Sequence, residues 1–171
     1  VLNDDVIVGG AGFPTHGHRD MEIITIVTEG AVAHKDNAGG NGVVRAGEVQ
    51  VMSAGKGVLH SEYNASEYNN LFLFQLWILP NKRGITPRYD QKNFDFIKHR
   101  EGVLPLVNGG EGTLRIEQDA AISYGIIKDK ALTVSVGKGN GVYVFVIQST
   151  ITIGDTNLSS RDAFGVSDAE S

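Results

Sequence analysis

Short β-branched and aromatic runs recur along the chain: "DDVIVG", "MEIITIVT", "GAVAHKD", "GVVRAG", "EVQVMS", "LFLFQLWIL", "GTLRIEQ", "ISYGIIK", "ALTVSVG", "VYVFVIQ" and "TITIGD". Most are bounded by Gly, Asn or Asp, the residues that end strands and build turns. No window of a dozen residues carries the i, i+3, i+4, i+7 stripe of an amphipathic helix. Strands this dense, with turn signals between them, predict an all-β sandwich or barrel. "DNAGGNG" at 36–42 reads as a hairpin loop.

The pattern lapses from Pro80 to about Gly112. "PNKRGITPRYDQKNFDFIKHREGVLPLVNGGEG" holds three of the four prolines, many charges and no alternation. It is expected to be a crossing linker, 81–112, between two β units at 1–80 and 113–171. Two such units suggest a repeated architecture, although their sequences do not repeat.

Composition narrows the function. Of 171 residues, 41% are hydrophobic and 20% charged, enough apolar material for a packed core. The 22 glycines are scattered as turn punctuation. Lys and Arg total 15 against 20 Asp and Glu, a net charge of −5, with no basic cluster to neutralise phosphates. Direct nucleic-acid binding is therefore not expected. The longest apolar run, "LFLFQLWIL", is too short to span a bilayer, and no signal-peptide pattern is visible. The absence of cysteine excludes disulfides and thiolate metal sites. A cytoplasmic location is the default expectation.

The chemistry concentrates in two segments. "THGHRDMEIITIVTEGAVAHKD" at 15–36 carries His16, His18 and Glu22, which share parity and would face one cavity along an unbroken strand. "AGKGVLHSEYN" at 54–64 carries His60 and Glu62 two apart, behind a Gly55-x-Gly57 turn. Three of the five histidines, His16, His18 and His60, stand in these two motifs. Imidazoles and carboxylates projecting from neighbouring strands suit a first-row metal at about 2.0–2.2 Å. A lone HxH is more often a packing or surface feature, but the second His-x-acid segment after a Gly-x-Gly turn favours a metal site. His34, beside a polar hairpin, and His99, within "KHRE", read as solvated. Gln75 and Trp77 read as core or pocket wall. Phe13, Met52 and Phe74 suit the wall of an apolar cavity, and ordinary packing equally well. "GKGN" at 137–140 lacks the spacing of a phosphate loop.

HxHxxxE followed by a Gly-rich segment and a second His resembles the two motifs of the cupin superfamily. More narrowly, "THGHRDMEIITIVTEGAVAHKD" with "AGEVQVMSAGKGVLHSEYN" resembles pirin and its bacterial pirin-like relatives, and "QLWILP" and "GITPRYDQKNF" extend the likeness. The resemblance implies a double-stranded β-helix fold: a bicupin of two jelly-roll barrels, of which only the N-terminal one binds metal. The second barrel is expected to be degenerate, and a His-based site there is excluded because 113–171 contains no histidine. Relatives carry residues before the segment matching Val1 and strands after that matching Ser171. Both barrels are accordingly expected to be incomplete here, with exposed edges.

By the same resemblance the metal ligands are His16, His18, His60 and Glu62. Many other cupins use the HxHxxxE glutamate, which would nominate Glu22. Parity does not choose between the two, and the narrower family places Glu22 behind a ligand imidazole as its orienting partner. Pirins imply quercetinase chemistry: a metal-dependent dioxygenase that opens the heterocycle of flavonols with O2. Fe(II) is expected as the metal, while Mn, Ni, Cu or Zn suit the same donors. Glu62 would be the general base. The partners expected are a flat aromatic, flavonol-like substrate and O2, with no membrane. A rival expectation follows animal pirin, a regulator that meets transcription factors through a redox-sensitive metal centre, and would add a protein partner. A metal-free cupin shell is the third.

Overall fold

The computed structural model describes residues 1–128 and 131–167; the remainder of the expected C-terminal barrel, 129–130 and 168–171, lies outside the described residues. These fall into two compact units, divided between Ile126 and Ile127.

The first unit is built on two antiparallel sheets. One has five strands: β1 (Leu2–Ile7), β3 (Glu22–Glu29), β6 (Glu48–Ser53), β8 (Leu71–Ile78) and β9 (Arg88–Asn93), in the order β1-β8-β3-β6-β9. The other has four: β2 (Gly12–His18), β4 (Ala31–Asp36), β5 (Asn41–Arg45) and β7 (Val58–Asn64), in the order β2-β7-β4-β5. β10 (Gly102–Val107) and β11 (Ile122–Ile126) form a separate pair.

Alternation decides what each face of the large sheet meets. Thr25 pairs with both Gln75 and Gln50, and Ile23 with both Trp77 and Met52, so these side chains share one face. That face joins the small sheet: Ile7, Val27, Leu71 and Leu73 pack with Val32 and Val44. Ile23, Met52, Ala54 and Val58 form a second cluster, with Trp77 against it. The opposite face carries Ile24, Val49 and Val51, covered by Phe96, Leu106, Val107, Leu114 and Ile116. A sheet buried on both faces explains why "EIITIV" is apolar almost throughout. Each such aliphatic side chain contributes about 1.5–3 kcal/mol by leaving water.

The stretch read as a linker does more than cross. Its polar "RYDQKN" is β9, pairing with β6 from Glu48↔Asn93 to Ser53↔Arg88 along the sheet edge. An edge strand tolerates such charge, which is why alternation failed to mark it. Conversely, "GTLRIEQ" yields only an isolated bridge, Val107↔Leu114. Its backbone is tied by Asn108 instead: the carboxamide donates to the carbonyls of Gln118 and Ala120, each at 2.9 Å, and accepts from the Ile116 amide at 3.1 Å. "ALTVSVG" forms no strand either.

In the second unit β12 (Gly141–Phe145) pairs with β15 (Ala163–Ser167), and β13 (Ile151–Ile153) with β14 (Thr156–Leu158). Val146 and Leu158 are its buried apolar side chains among the described residues. The described residues contain no helix, hence none long and apolar enough to cross a membrane.

Candidate metal centre

β2 and β7 lie side by side and bring the two histidine segments into register. His16 pairs with His60 and His18 with Val58, after a bulge between Phe13 and His16 that resets the strand. β7 is delivered by the "AGKG" turn, where Gly55 and Gly57 have φ of 46° and 135°. A Cβ on Gly55 would stand 2.1 Å from the Ile85 carbonyl oxygen, so only glycine fits there.

The three imidazoles converge. Ring centroids are 4.4 Å apart for His16–His60, 4.9 Å for His16–His18 and 5.0 Å for His18–His60. One ligand atom from each lies within 4.8 Å of the others. His16 donates from Nδ1 to the Pro14 carbonyl at 2.8 Å, which leaves its Nε2 lone pair bare. That Nε2 sits 3.0 Å from Nε2 of His60. Three imidazole nitrogens gathered this closely form a donor set that fits a first-row metal. His60 is buried, and its Nδ1 has no hydrogen-bond partner. Burial depresses the His60 pKa to about 4. Burial, then the neighbouring His16, depresses that of His18. Both rings are thus neutral at pH 7, the form that ligates metals.

Glu62 lies beside this trio in a bed of amides. It is 3% exposed; Oε1 accepts from Gln50 Nε2, and Oε2 accepts from Gln75 Nε2 at 2.8 Å. Thr25 Oγ1 accepts from the same two amides, at 3.1 and 3.2 Å. Trp77 donates its indole N–H to Gln75 Oε1 at 2.9 Å, and its ring stands edge-on to His18 at 5.0 Å. Burial would raise the Glu62 pKa, but His34, His60 and Gln75 outweigh it and hold the carboxyl below its ordinary value. Glu62 groups within 4.8 Å with His60 and His34, not with all three of the converging imidazoles.

His34 was expected in solvent and is buried, 1% exposed. β4 lies on the other side of β7, pairing His34 with Glu62 and Asp36 with His60. Nε2 of His34 is 2.9 Å from Asp36 Oδ2, and Nδ1 is 3.7 Å from Glu62 Oε1. Its ring stacks on Tyr89 with centroids 4.6 Å apart. Burial works against the charged imidazole, yet Glu62 and Asp36 prevail and raise its pKa. The alternation Val32, His34, Asp36 hinted at an inward face, but nothing in the sequence told which strand β4 would join. His99 is half-buried with Nε2 3.1 Å from the Gly102 carbonyl, and joins neither metal-capable group.

Glu22 is corrected more sharply. The chain turns at Asp20, with φ of 49°, and passes from the small sheet to the large one. Parity along one strand therefore does not carry over from His18 to Glu22. Glu22 shares the face of Ile24, opposite Thr25, and accepts a hydrogen bond from Ser53 Oγ at 2.7 Å. It belongs to neither metal-capable group and orients no ligand imidazole. Of the three cavity-wall candidates, Met52 lies toward the site, and Phe13 stands across the ladder from Glu62. Phe74 occupies the face opposite Gln75, and Phe13 is 41% exposed. A surface depression lined by Gly17, Arg19, Asn37, Gly57 and Leu59 reaches His18.

The pirin profile matches residues 1–78, and the profile of the quercetinase C-terminal cupin domain matches 107–171. A protein of Escherichia coli K12 named quercetin 2,3-dioxygenase is 41% identical over 171 residues, 99% of this chain and 74% of that protein. The pirin-like protein of Caulobacter vibrioides is 37% identical over 172 residues, 98% of this chain and 74% of its own. The crystal structure of Escherichia coli YhhW superposes with a TM-score of 0.91 at 40% identity, covering 98% of this chain and 72% of that one. The nickel(II) complex of bacterial pirin YhhW from the same organism gives 0.91 at 39%, covering 99% and 73%. The all-β cupin fold expected from the motifs is the fold these comparisons share. Identity at this level across nearly the whole chain decides the matter: it belongs to the pirin family of the cupin superfamily.

Proposed function

We propose that the chain is a metal-dependent dioxygenase of the pirin type, opening the heterocycle of flavonols such as quercetin with O2. The observation that carries this reading is the convergence of His16, His18 and His60 beside a buried, ionised Glu62. The names of the Escherichia coli and other bacterial relatives support the substrate class. His16, His18, His60 and Glu62 would hold one divalent ion. Iron(II) is the choice by family resemblance, and the nickel(II) complex of a relative is consistent with a site that accepts several first-row metals. Residues 1–80 then supply the metal-binding barrel, completed by β9 from the 81–112 stretch, and 113–171 supplies no histidine to a site, His99 being the last in the chain.

When bound, the metal supplies Lewis acidity that lowers the pKa of the flavonol hydroxyl and a centre for O2 chemistry. The protein's part is proton handling, orientation and exclusion of water. Glu62, held ionised, accepts the hydroxyl proton on a carboxylate oxygen. Oxygen addition to the activated ring then opens it with loss of carbon monoxide. His18 lies on the depression, where a flat aromatic ligand would approach, with the Trp77 ring edge-on behind it.

Metal analysis of the purified protein, followed by loss of quercetin's visible absorbance, tests the proposal. Metal with turnover, both abolished in His60→Ala, is the expected result. Metal without turnover on any flavonol would favour the regulatory reading. Failure to take up iron, copper or manganese would leave a metal-free shell.

A further inference from the structure

We propose that Gln75 is a positioning residue for Glu62, and that the indole N–H of Trp77 sets the direction in which it acts. This rests on the reading of Glu62 as part of the metal centre.

A carboxamide has a donor end and an acceptor end, and here each end has a demanding neighbour. Nε2 of Gln75 is 2.8 Å from Glu62 Oε2 and 3.2 Å from Thr25 Oγ1, while Oε1 is 2.9 Å from Trp77 Nε1. An indole N–H only donates, and an ionised carboxylate only accepts. One orientation of the amide satisfies both. The reverse would set carbonyl oxygen against carboxylate oxygen and NH2 against N–H, in a place where Gln75 is 7% exposed and Glu62 3%. Trp77 therefore polarises Gln75 toward Glu62.

The arrangement follows from the sequence. Gln75 and Trp77 stand two apart on β8 and share the face that looks at the small sheet. Gln50, across β3 from Gln75, supplies the second amide, to the other carboxylate oxygen. Donors on two different oxygens fix the carboxylate plane, as outer partners do for metal-ligating carboxylates. The indole is itself lodged against His18. A continuous chain of contacts, His18–Trp77–Gln75–Glu62, thus ties the orientation of the carboxylate to one of the imidazoles. Neither Gln75 nor Trp77 touches the reacting atoms in this scheme.

The test uses Gln75→Met, which keeps length without a donor, Trp77→Phe, which keeps a ring against His18 without the N–H, and the double variant. Each is loaded with Co(II). Wild-type protein is expected to bind cobalt. Gln75→Met should keep cobalt affinity within about tenfold, shift its ligand-field bands and lose about tenfold in kcat at nearly unchanged KM. Trp77→Phe should change the bands and kcat in the same sense, and the double variant should be no worse than Gln75→Met, because both act through one bond. In metal-free protein, nuclear magnetic resonance of the Gln75 side-chain amide should show slow solvent exchange, lost in Trp77→Phe. Wild-type cobalt bands and kcat in Gln75→Met would overturn the positioning role. A Trp77→Phe protein indistinguishable from wild type, beside an impaired Gln75→Met, would overturn the part given to the indole. A wild-type protein that binds no cobalt overturns the metal-centre reading, and the role of Gln75 there with it.

Discussion

His16 stands directly across the β2–β7 ladder from His60, and their Nε2 atoms approach to 3.0 Å. Because His16 gives its Nδ1–H to the Pro14 carbonyl, the contact holds a single proton, donated by His60. A metal held here would take both Nε2 lone pairs, with the His60 proton moved to its Nδ1. His60→Ala should therefore weaken metal affinity by more than about a hundredfold, beyond the effect of losing an outer partner. His16→Ala should follow closely. Isothermal titration with Ni(II) measures both, and affinity within tenfold of wild type would contradict the assignment.

Glu22→Gln should leave metal affinity unchanged, since Glu22 points to the other face of the large sheet. Its effect belongs to stability. Burial raises the Glu22 pKa, and Glu22 Oε1 has no hydrogen-bond partner. A carboxyl whose folded pKa lies above its unfolded value, near 4.5, makes folding less favourable as pH rises above that value. Wild type should lose stability relative to Glu22→Gln as pH rises above 4.5. Urea midpoints of the two proteins would show it, and parallel curves would refute it.

The metal-free protein should weaken on mild acidification. His60 has a folded pKa of about 4 against 6.5 in the unfolded chain, so below pH 6.5 the unfolded state binds a proton that the folded state refuses. Stability falls through that window and levels off near pH 4 for this group; His18, depressed by burial, adds in the same sense. His34 shifts upward, so it opposes this trend around pH 6.5 and drops out once both states are protonated. Denaturation of metal-free His60→Gln should show a flatter decline between pH 6.5 and 5 than wild type.

His34→Ala should destabilise the protein by about 2 kcal/mol, because the Asp36 carboxylate, 1% exposed, loses its imidazole partner and keeps only backbone donors. The Tyr89 ring loses its stacking neighbour as well. Chemical denaturation of the metal-free protein measures the loss. A change under 0.5 kcal/mol, as at an ordinary surface site, would mean that the His34–Asp36 contact is of no consequence.

Much of the candidate site was legible because it is local. HxH spacing puts two imidazoles on one face of a strand, and Gly-x-Gly before His60 permits the turn that delivers it, whatever the rest of the chain does. The all-β class was equally plain, since period-two runs between turn residues compete with no helical pattern. The family likeness supplied Glu62 as the partner, which spacing alone left undecided.

Tertiary structure decided what depends on which strands become neighbours. Glu22 was separated from His18 by a turn that changes sheets, so shared parity ceased to mean a shared face. His34 and Asp36 entered the site because β4 flanks β7, a pairing that local pattern does not encode. Gln75 and Trp77 read as core or pocket wall and Gln50 drew no reading; their polarity acquired meaning only when three strands of the large sheet set Thr25 and both amides facing Glu62. "RYDQKN" became a strand because an edge supplied hydrogen-bond partners without demanding apolar side chains. Residue type and spacing specify local conformation and chemical capacity, but long-range pairing determines which capacities meet.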